Sequence, residues 1–262
     1  MPLSLTFTLD PRGQTLPENA IPALHATFFQ WLERGDADLA RQVHAVSDPK
    51  PYTVSPLTRE ENRARFRITL LDDALWLPLQ AGIANQPEVR VLWATLPFAT
   101  APHIEQRTYV QIAQEAREET SVTLQFDSPT SFRSHEMHYP LPDPVLVFAS
   151  YHARWNVFAP AELRIDASWD EWVRDSVAVS RYRLETQVVE FPTAVGRRSS
   201  YQQIGFVGVV QYTVAGKHAN IRAGLGPLNA LADYAYFCGT GHKTTQGCGQ
   251  TRRVEEWMVD GG

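Results

Sequence analysis

Four glycines, Gly239, Gly241, Gly247 and Gly249, form two Gly-x-Gly pairs with five residues between them, and His242 and Lys243 follow the first pair directly. Without a Cβ, glycine takes positive φ and lets backbone amides approach a ligand closely, which is how a chain builds a concave nest for phosphate oxygens. Lys243 would add a point charge beside such a nest. A plain glycine-rich turn between two elements accounts for the same residues equally well. The familiar nucleotide loops do not fit. A Walker loop carries Gly immediately before its Lys-Ser/Thr pair, where His242 stands before Lys243-Thr244. The dinucleotide fingerprint needs a third Gly at the position of Thr244, and both loops need a strand before and a helix after, the reverse of the order here. His135 and His138 invite a zinc reading, but they are spaced too closely for the His-Glu-x-x-His helix and sit in a proline-rich stretch, so no metal is expected.

A phosphate-binding loop needs a surface to match. The net charge of -5 argues against indiscriminate nucleic-acid binding, which comes from neutralising phosphates. That average hides a polarity. Between Ser176 and Arg253 nine basic residues face three acidic ones, so this segment is +6 and the remainder is -11. Such asymmetry suits one surface meant for a polyanion and an acidic body that avoids others. Two cysteines, Cys238 and Cys248, are too few for a disulfide framework and fit a reducing cytoplasm. No stretch reaches the roughly 18 apolar residues of a membrane helix, so no membrane partner is expected.

The elements that must position these residues are read from periodicity. Leu3 to Leu9 alternates as a half-buried strand, and Ile21, Leu24, Phe28, Trp31 and Leu32 lie at helical spacing up to Gly35. Strands follow over 51–57 and 64–71, then a helix opening at Asp72-Asp73 and running to Ala84, and a strand over 88–96. The order is β, α, β, β, α, β, the ferredoxin-like unit. After a small helix near Tyr109 to Arg117 and a strand over 121–126, Pro129 to Pro144 reads as a linker. A helix over 160–178, strands over 182–191 and 204–214, a helix over 225–237, the glycine loop and a strand over 251–258 resemble a looser second copy. The expected architecture is α+β, with an N-terminal domain over 1–125 and a C-terminal domain over 126–262.

The run Leu228 to Gln250 resembles the C-terminal signature of a known family, the CRISPR-associated endoribonucleases of the RAMP superfamily that process precursor CRISPR RNA. Three further blocks in order carry the resemblance: Pro51 to Leu57, Phe126 to Arg133, and Arg154-Trp155-Asn156. It implies two tandem ferredoxin-like (βαββαβ, RRM-like) domains that bind CRISPR repeat RNA, cut it once per repeat and hand the product to a multi-subunit interference complex. A homodimer is compatible with it. The other reading is a non-catalytic subunit that only holds repeat RNA within an effector complex. A small-molecule phosphate enzyme is the third.

Cutting RNA without a metal requires the 2′-hydroxyl to attack the adjacent phosphate in line, leaving a 2′,3′-cyclic phosphate and a 5′-hydroxyl. One group must take the 2′-proton, another must protonate the departing 5′-oxygen, and a third must offset the added negative charge. The resemblance places acid–base catalysis on His44 and transition-state stabilisation on Lys50, and no cofactor. Relatives with a full triad carry a tyrosine in the first helix where this chain has Phe28-Phe29, which leaves the general base open between Tyr52, His25 and in-line positioning by the RNA alone. RNA contact is expected from Arg133, Arg154, Arg181, Arg183, Arg197, Arg198, Gly239, Gly241, His242, Lys243, Gly247 and Gly249. The alternative for Arg181 and Arg183 is pairing with Glu185 and Glu190 on their own strand.

Overall fold

The computed structural model describes all residues except 18, 92, 135–136, 193–199, 217–220, 256 and 258–262. Contacts divide the chain into two units, Met1–Thr108 with Thr244–Gly247, and Tyr109–Lys243 with Cys248–Gly262. Both are ferredoxin-like. The division falls at Thr108 rather than at the expected residue 125, because the helix at Tyr109–Gln114 packs on a helix of the second unit.

In the first unit β1 (Leu3–Leu9) leads to α1 (Ile21–Gly35) and α2 (Ala37–Ala45), followed by β2 (Tyr52–Val54), β3 (Thr58–Glu60) and β4 (Arg63–Leu70). A 3₁₀ turn at Asp73–Leu75 precedes α3 (Trp76–Asn85), and β5 (Glu88–Val91), β6 (Ala94–Pro97) and β7 (His103–Gln106) complete it. The main sheet runs β2-β4-β1-β7, with β3 beside β4. β1 and β4 pair antiparallel from Leu3↔Leu70 to Leu9↔Ala64. Leu3, Leu5, Phe7 and Leu9 fall on one face by the strand period of two, and bury against Leu24, Phe28, Trp31 and Leu32 of α1. Gly35 ends α1 as expected, but its work is steric. A Cβ there would lie 1.9 Å from the Pro78 carbonyl oxygen, and one at Gly82 would lie 1.8 Å from that of Trp31, so two glycines let α1 and α3 approach closely.

Two expectations are corrected in this unit. The segment 88–96 is a hairpin of β5 and β6, separate from the main sheet. Val89 and Val91, then Ala94 and Leu96, are all buried; the three-residue step from 91 to 94 breaks the alternation and marks the turn. The fourth sheet position is taken by β7, whose exposed His103-Ile104-Glu105-Gln106 shows no strand alternation. The element α2 is also new. It carries His44 in its last turn, and Asp36 starts that helix by accepting from the Leu39 amide at 2.9 Å.

In the second unit α4 (Tyr109–Gln114) leads to β8 (Ser121–Thr130), the hairpin β9 (Phe132–Ser134) and β10 (Met137–Tyr139), and α5 (Pro144–Phe158). A 3₁₀ turn at Ala161–Leu163, α6 (Trp169–Ser176), β11 (Val177–Pro192), β12 (Ser200–Val214), α7 (Ile221–Cys238) and β13 (Thr251–Val254) follow. The sheet order β11-β12-β8-β13 repeats the permutation of the first unit, with the first and third strands inside and the second and fourth at the edges. The expected linker Pro129 to Pro144 is instead the end of β8, a hairpin and a helix start. Pro144 occupies the first turn of α5, where its missing amide is harmless, and Asp143 caps it by accepting from Val145 and Leu146 at 2.9 and 3.2 Å. The helix expected over 160–178 is only α6 after a 3₁₀ turn, and the strand over 251–258 ends at Val254 in the described residues. Among the described residues no helix is long and apolar enough to cross a membrane.

Removing the Asp143 cap should be measurable without touching any core contact. Asp143→Ala is expected to lower stability by about 1 kcal/mol, read as a reduced urea midpoint with an unchanged slope.

Candidate active site

Within the first unit, α1, the end of α2 and β2 bring His25, Phe29, His44, Lys50 and Tyr52 together. The Phe29 ring lies between two imidazoles, meeting that of His25 edge-on at 5.1 Å and that of His44 at 5.2 Å. His25 Nε2 hydrogen-bonds the Tyr52 hydroxyl at 3.0 Å, and Phe28 stacks flat on the Tyr52 ring at 4.0 Å. His25 and Phe29 are four residues apart on one face of α1, which is why a helix carries both to β2. The pair Phe28-Phe29, which looks like a loss of chemistry in the sequence, therefore forms the packing that spaces the two histidines.

Lys50 does not reach outward. Its ammonium donates to the carbonyls of Val43 at 3.2 Å and His44 at 3.0 Å, and to that of Val46. Three donors meet three carbonyls at the end of α2, where the helix leaves its last acceptors open and its dipole favours a cation. The ammonium thus fastens the turn that carries His44.

The electrostatics separate the groups. Burial, then the nearby positive charges of His44 and Lys50, hold His25 below its ordinary pKa. Burial pushes the Tyr52 hydroxyl well above its usual range, against the pull of a hydrogen bond from Thr245, so it stays protonated and serves to orient rather than to accept a proton. Thr245 lies in the 3₁₀ turn Thr244–Gln246, which belongs to this unit by its contacts with β2 and α1. The Gly247 amide donates to the Val54 carbonyl at 3.0 Å, and a Cβ on Gly247 would strike the Ile21 side chain at 2.7 Å.

The flanking residues of the glycine loop belong to the second unit. All four loop glycines take positive φ, as does Lys243 at 60°. The nest reading is not what their amides do. Gly239 donates to Ala235, Thr240 to Gly249, His242 to Ser131 and Gly249 to Pro129, all at 2.8 to 3.1 Å. These donors are spent within the protein. Gly241 offers its carbonyl to Arg154 at 2.7 Å, so Arg154, also bonded to the Ser150 carbonyl, holds the loop from behind. Lys243 places its ammonium 3.7 Å from the Phe191 ring centre and 4.0 Å from that of Tyr201, and burial lowers its pKa to about 8. Cys238 and Cys248 are buried free thiols, each pushed up to about 12 by burial.

Of the remaining residues, Arg181 and Arg183 are exposed on β11. Arg183 borders an open cleft of about 920 Å³ along the sheet with Gln125, Asp127 and Arg252, whose guanidinium lies 3.1 Å from the Asp127 carboxylate. Arg133 is exposed on β9, in register with His138, whose ring faces that of His242 at 6.5 Å. Arg197, Arg198 and His135 lie outside the described residues. His25, one of the open candidates for the general base in the sequence, stands at helical spacing to Phe29.

Residues 124–251 match the family model of the CRISPR-associated endoribonuclease Cas6. The CRISPR-associated endoribonuclease Cas6 of Mycobacterium tuberculosis, from strains CDC 1551 and H37Rv, is 26% identical over 269 aligned positions, covering 95% of this chain and 77% of the relative. A Cas6 product complex is 27% identical with a TM-score of 0.76, covering 97% of this chain and 100% of that one. A Cas6 substrate mimic complex is 26% identical with a TM-score of 0.70 over the same 97% and 100%. A further Cas6 product complex, at 22% identity and a TM-score of 0.81 over 97% and 99% of the two chains, shows the shared fold.

Two outcomes test this geometry. Since the folded pKa of His25 lies below the ~6.5 of an unfolded histidine, the unfolded chain takes the proton first. The stability owed to neutral His25 is thus full above that pH and is lost as pH falls towards the folded value. His25→Gln should flatten this acid-side loss in urea midpoints measured across pH. Gly249→Ala forces a Cβ to within 2.0 Å of the Thr240 carbonyl oxygen at a φ of +69°. It should cost about 2 kcal/mol or more, seen as a lowered Tm.

Proposed function

Taking as premise that this chain is of the Cas6 endoribonuclease kind, alike in family model, curated relatives and fold, we propose that it cuts CRISPR repeat RNA in precursor crRNA without a metal, using His25 and His44. The observation that carries this reading is the pair of imidazoles spaced by the Phe29 ring. The 2′-oxygen attacks the phosphorus as the bond to the 5′-oxygen breaks. His25, held neutral by burial and its cationic neighbours, takes the 2′-proton, and Tyr52 fixes the orientation of its ring. His44, exposed at the end of α2, gives a proton to the departing 5′-oxygen. The products are a 2′,3′-cyclic phosphate and a 5′-hydroxyl, and no proton is gained or lost overall.

Lys50 supports this chemistry by holding the helix end under His44 and by keeping His25 neutral through its charge. RNA is gripped by Arg181 and Arg183 on the open strand β11 and by Arg133 and His242 beside the β9–β10 hairpin, a placement suited to backbone and shape recognition. The glycines, Arg154 and Lys243 hold that surface in form. Release of the cut RNA to a multi-subunit interference complex belongs to the same reading, as does any homodimer.

Purified protein with a repeat RNA in chelator should cut it, and a substrate with a 2′-deoxy group at the scissile nucleotide should stay whole. His44→Ala and His25→Ala should each lower the single-turnover rate by about 10² to 10⁴ fold with RNA affinity retained. Cleavage that survives His44→Ala sinks its role as acid, and binding without cutting by the unaltered protein makes this a repeat-holding subunit instead.

A further inference from the structure

Away from the open face of its sheet, the second unit has a groove of about 770 Å³ between α6, α7 and the loop before α6. Three indoles line it: Trp155, Trp169 and Trp172, the last two stacked at 6.1 Å. Trp155 and Trp169 are fixed by donating to the carbonyls of Leu163 and Gly224. The Trp172 nitrogen is buried with no partner. Glu162, Asp166, Glu171 and Asp175 stand exposed on the lining, and Arg164 is the one basic residue among those described there, so the groove carries a net charge of -3. The hydroxyl and amide of Ser168 hold the Asp166 carboxyl below the usual range, so it stays ionised near neutrality.

The backbone adds an acceptor. Pro227 sits inside α7 and has no amide, so the Ala223 carbonyl one turn earlier lacks its helical donor. Ala223 is exposed, and both residues line the groove. Gly226 faces open space there, with nothing within 4 Å of a Cβ built on it.

Carboxylates, an open carbonyl and indole faces share one preference. All favour a cation that also donates hydrogen bonds, and a guanidinium does so best, because it is planar, stacks on an indole and donates to carboxylate and carbonyl together. The carboxylates repel RNA. The unpaired indole N–H wants a carbonyl, which a peptide backbone provides. We propose that this groove docks a basic, arginine-bearing segment of a protein partner, on a surface separate from the one that handles RNA. This does not depend on the cutting mechanism.

The test uses full-length protein and a labelled hexapeptide of alternating arginine and leucine, acetylated and amidated, followed by fluorescence anisotropy. Saturable binding with a Kd between about 1 μM and 1 mM is expected. It should weaken at least tenfold when citrulline replaces arginine, in Trp172→Leu, and in the doubly reversed Glu171→Lys, Asp175→Lys protein. That double variant should keep its circular dichroism spectrum and its unaltered rate on repeat RNA. Equal binding by the unaltered and charge-reversed proteins would overturn the proposal, as would no saturation by about 5 mM or displacement of the peptide by repeat RNA.

Discussion

A buried line of hydroxyls closes the neck of the glycine loop, and much else hangs on it. The Tyr151 hydroxyl meets Thr240 Oγ1 at 2.6 Å, Thr240 meets Thr251 at 2.7 Å, and the Thr251 hydroxyl donates to the Gly249 carbonyl at 3.0 Å. All three side chains are buried, and burial raises the Tyr151 pKa far enough that its proton stays in the line. Such a network is cooperative when complete, and each orphaned member would cost about 1 to 3 kcal/mol. It fixes where the chain leaves α7 and where it re-enters β13. Between those points, within the same unit, Lys243 lies against Phe191 and Tyr201.

Charge along the sequence overstates charge on the surface. Of the nine basic residues between Ser176 and Arg253, Arg253 pairs with Glu119 and Asp233, Arg252 with Asp127, and Lys243 sits between two rings. Arg181, Arg183 and Arg222 are exposed with no ion pair among the described residues. A count of formal charge is blind to partners that come from distant strands, such as Glu119 on the approach to β8.

What could be read in advance follows from the same distinction. The strands and helices with a clean period, Leu3 to Leu9 and Ile21 to Gly35 above all, stood out because one face of each meets a single core. The edge strand β7 did not, since all four of its residues are exposed and its pairing with β1 is a backbone matter. The helix α5 hid behind its prolines, although Val147, Phe148, Tyr151 and Trp155 lie at helical spacing and Asp143-Pro144 is a start signal. At the site, His44 was legible only through family resemblance. The partnership of His25 and Tyr52 spans 27 residues and no local pattern encodes it. Lys50 was singled out as a residue type, but its attachment to helix-end carbonyls is tertiary geometry.

Both cysteines flank the loop, and both are sealed. Cys238 and Cys248 are fully buried with thiols raised to about 12, so almost none of either is thiolate at neutral pH. Thiolate is the form that attacks peroxides and disulfides. Burial of both thiols therefore keeps the two ends of the glycine loop poorly reactive towards oxidants at neutral pH.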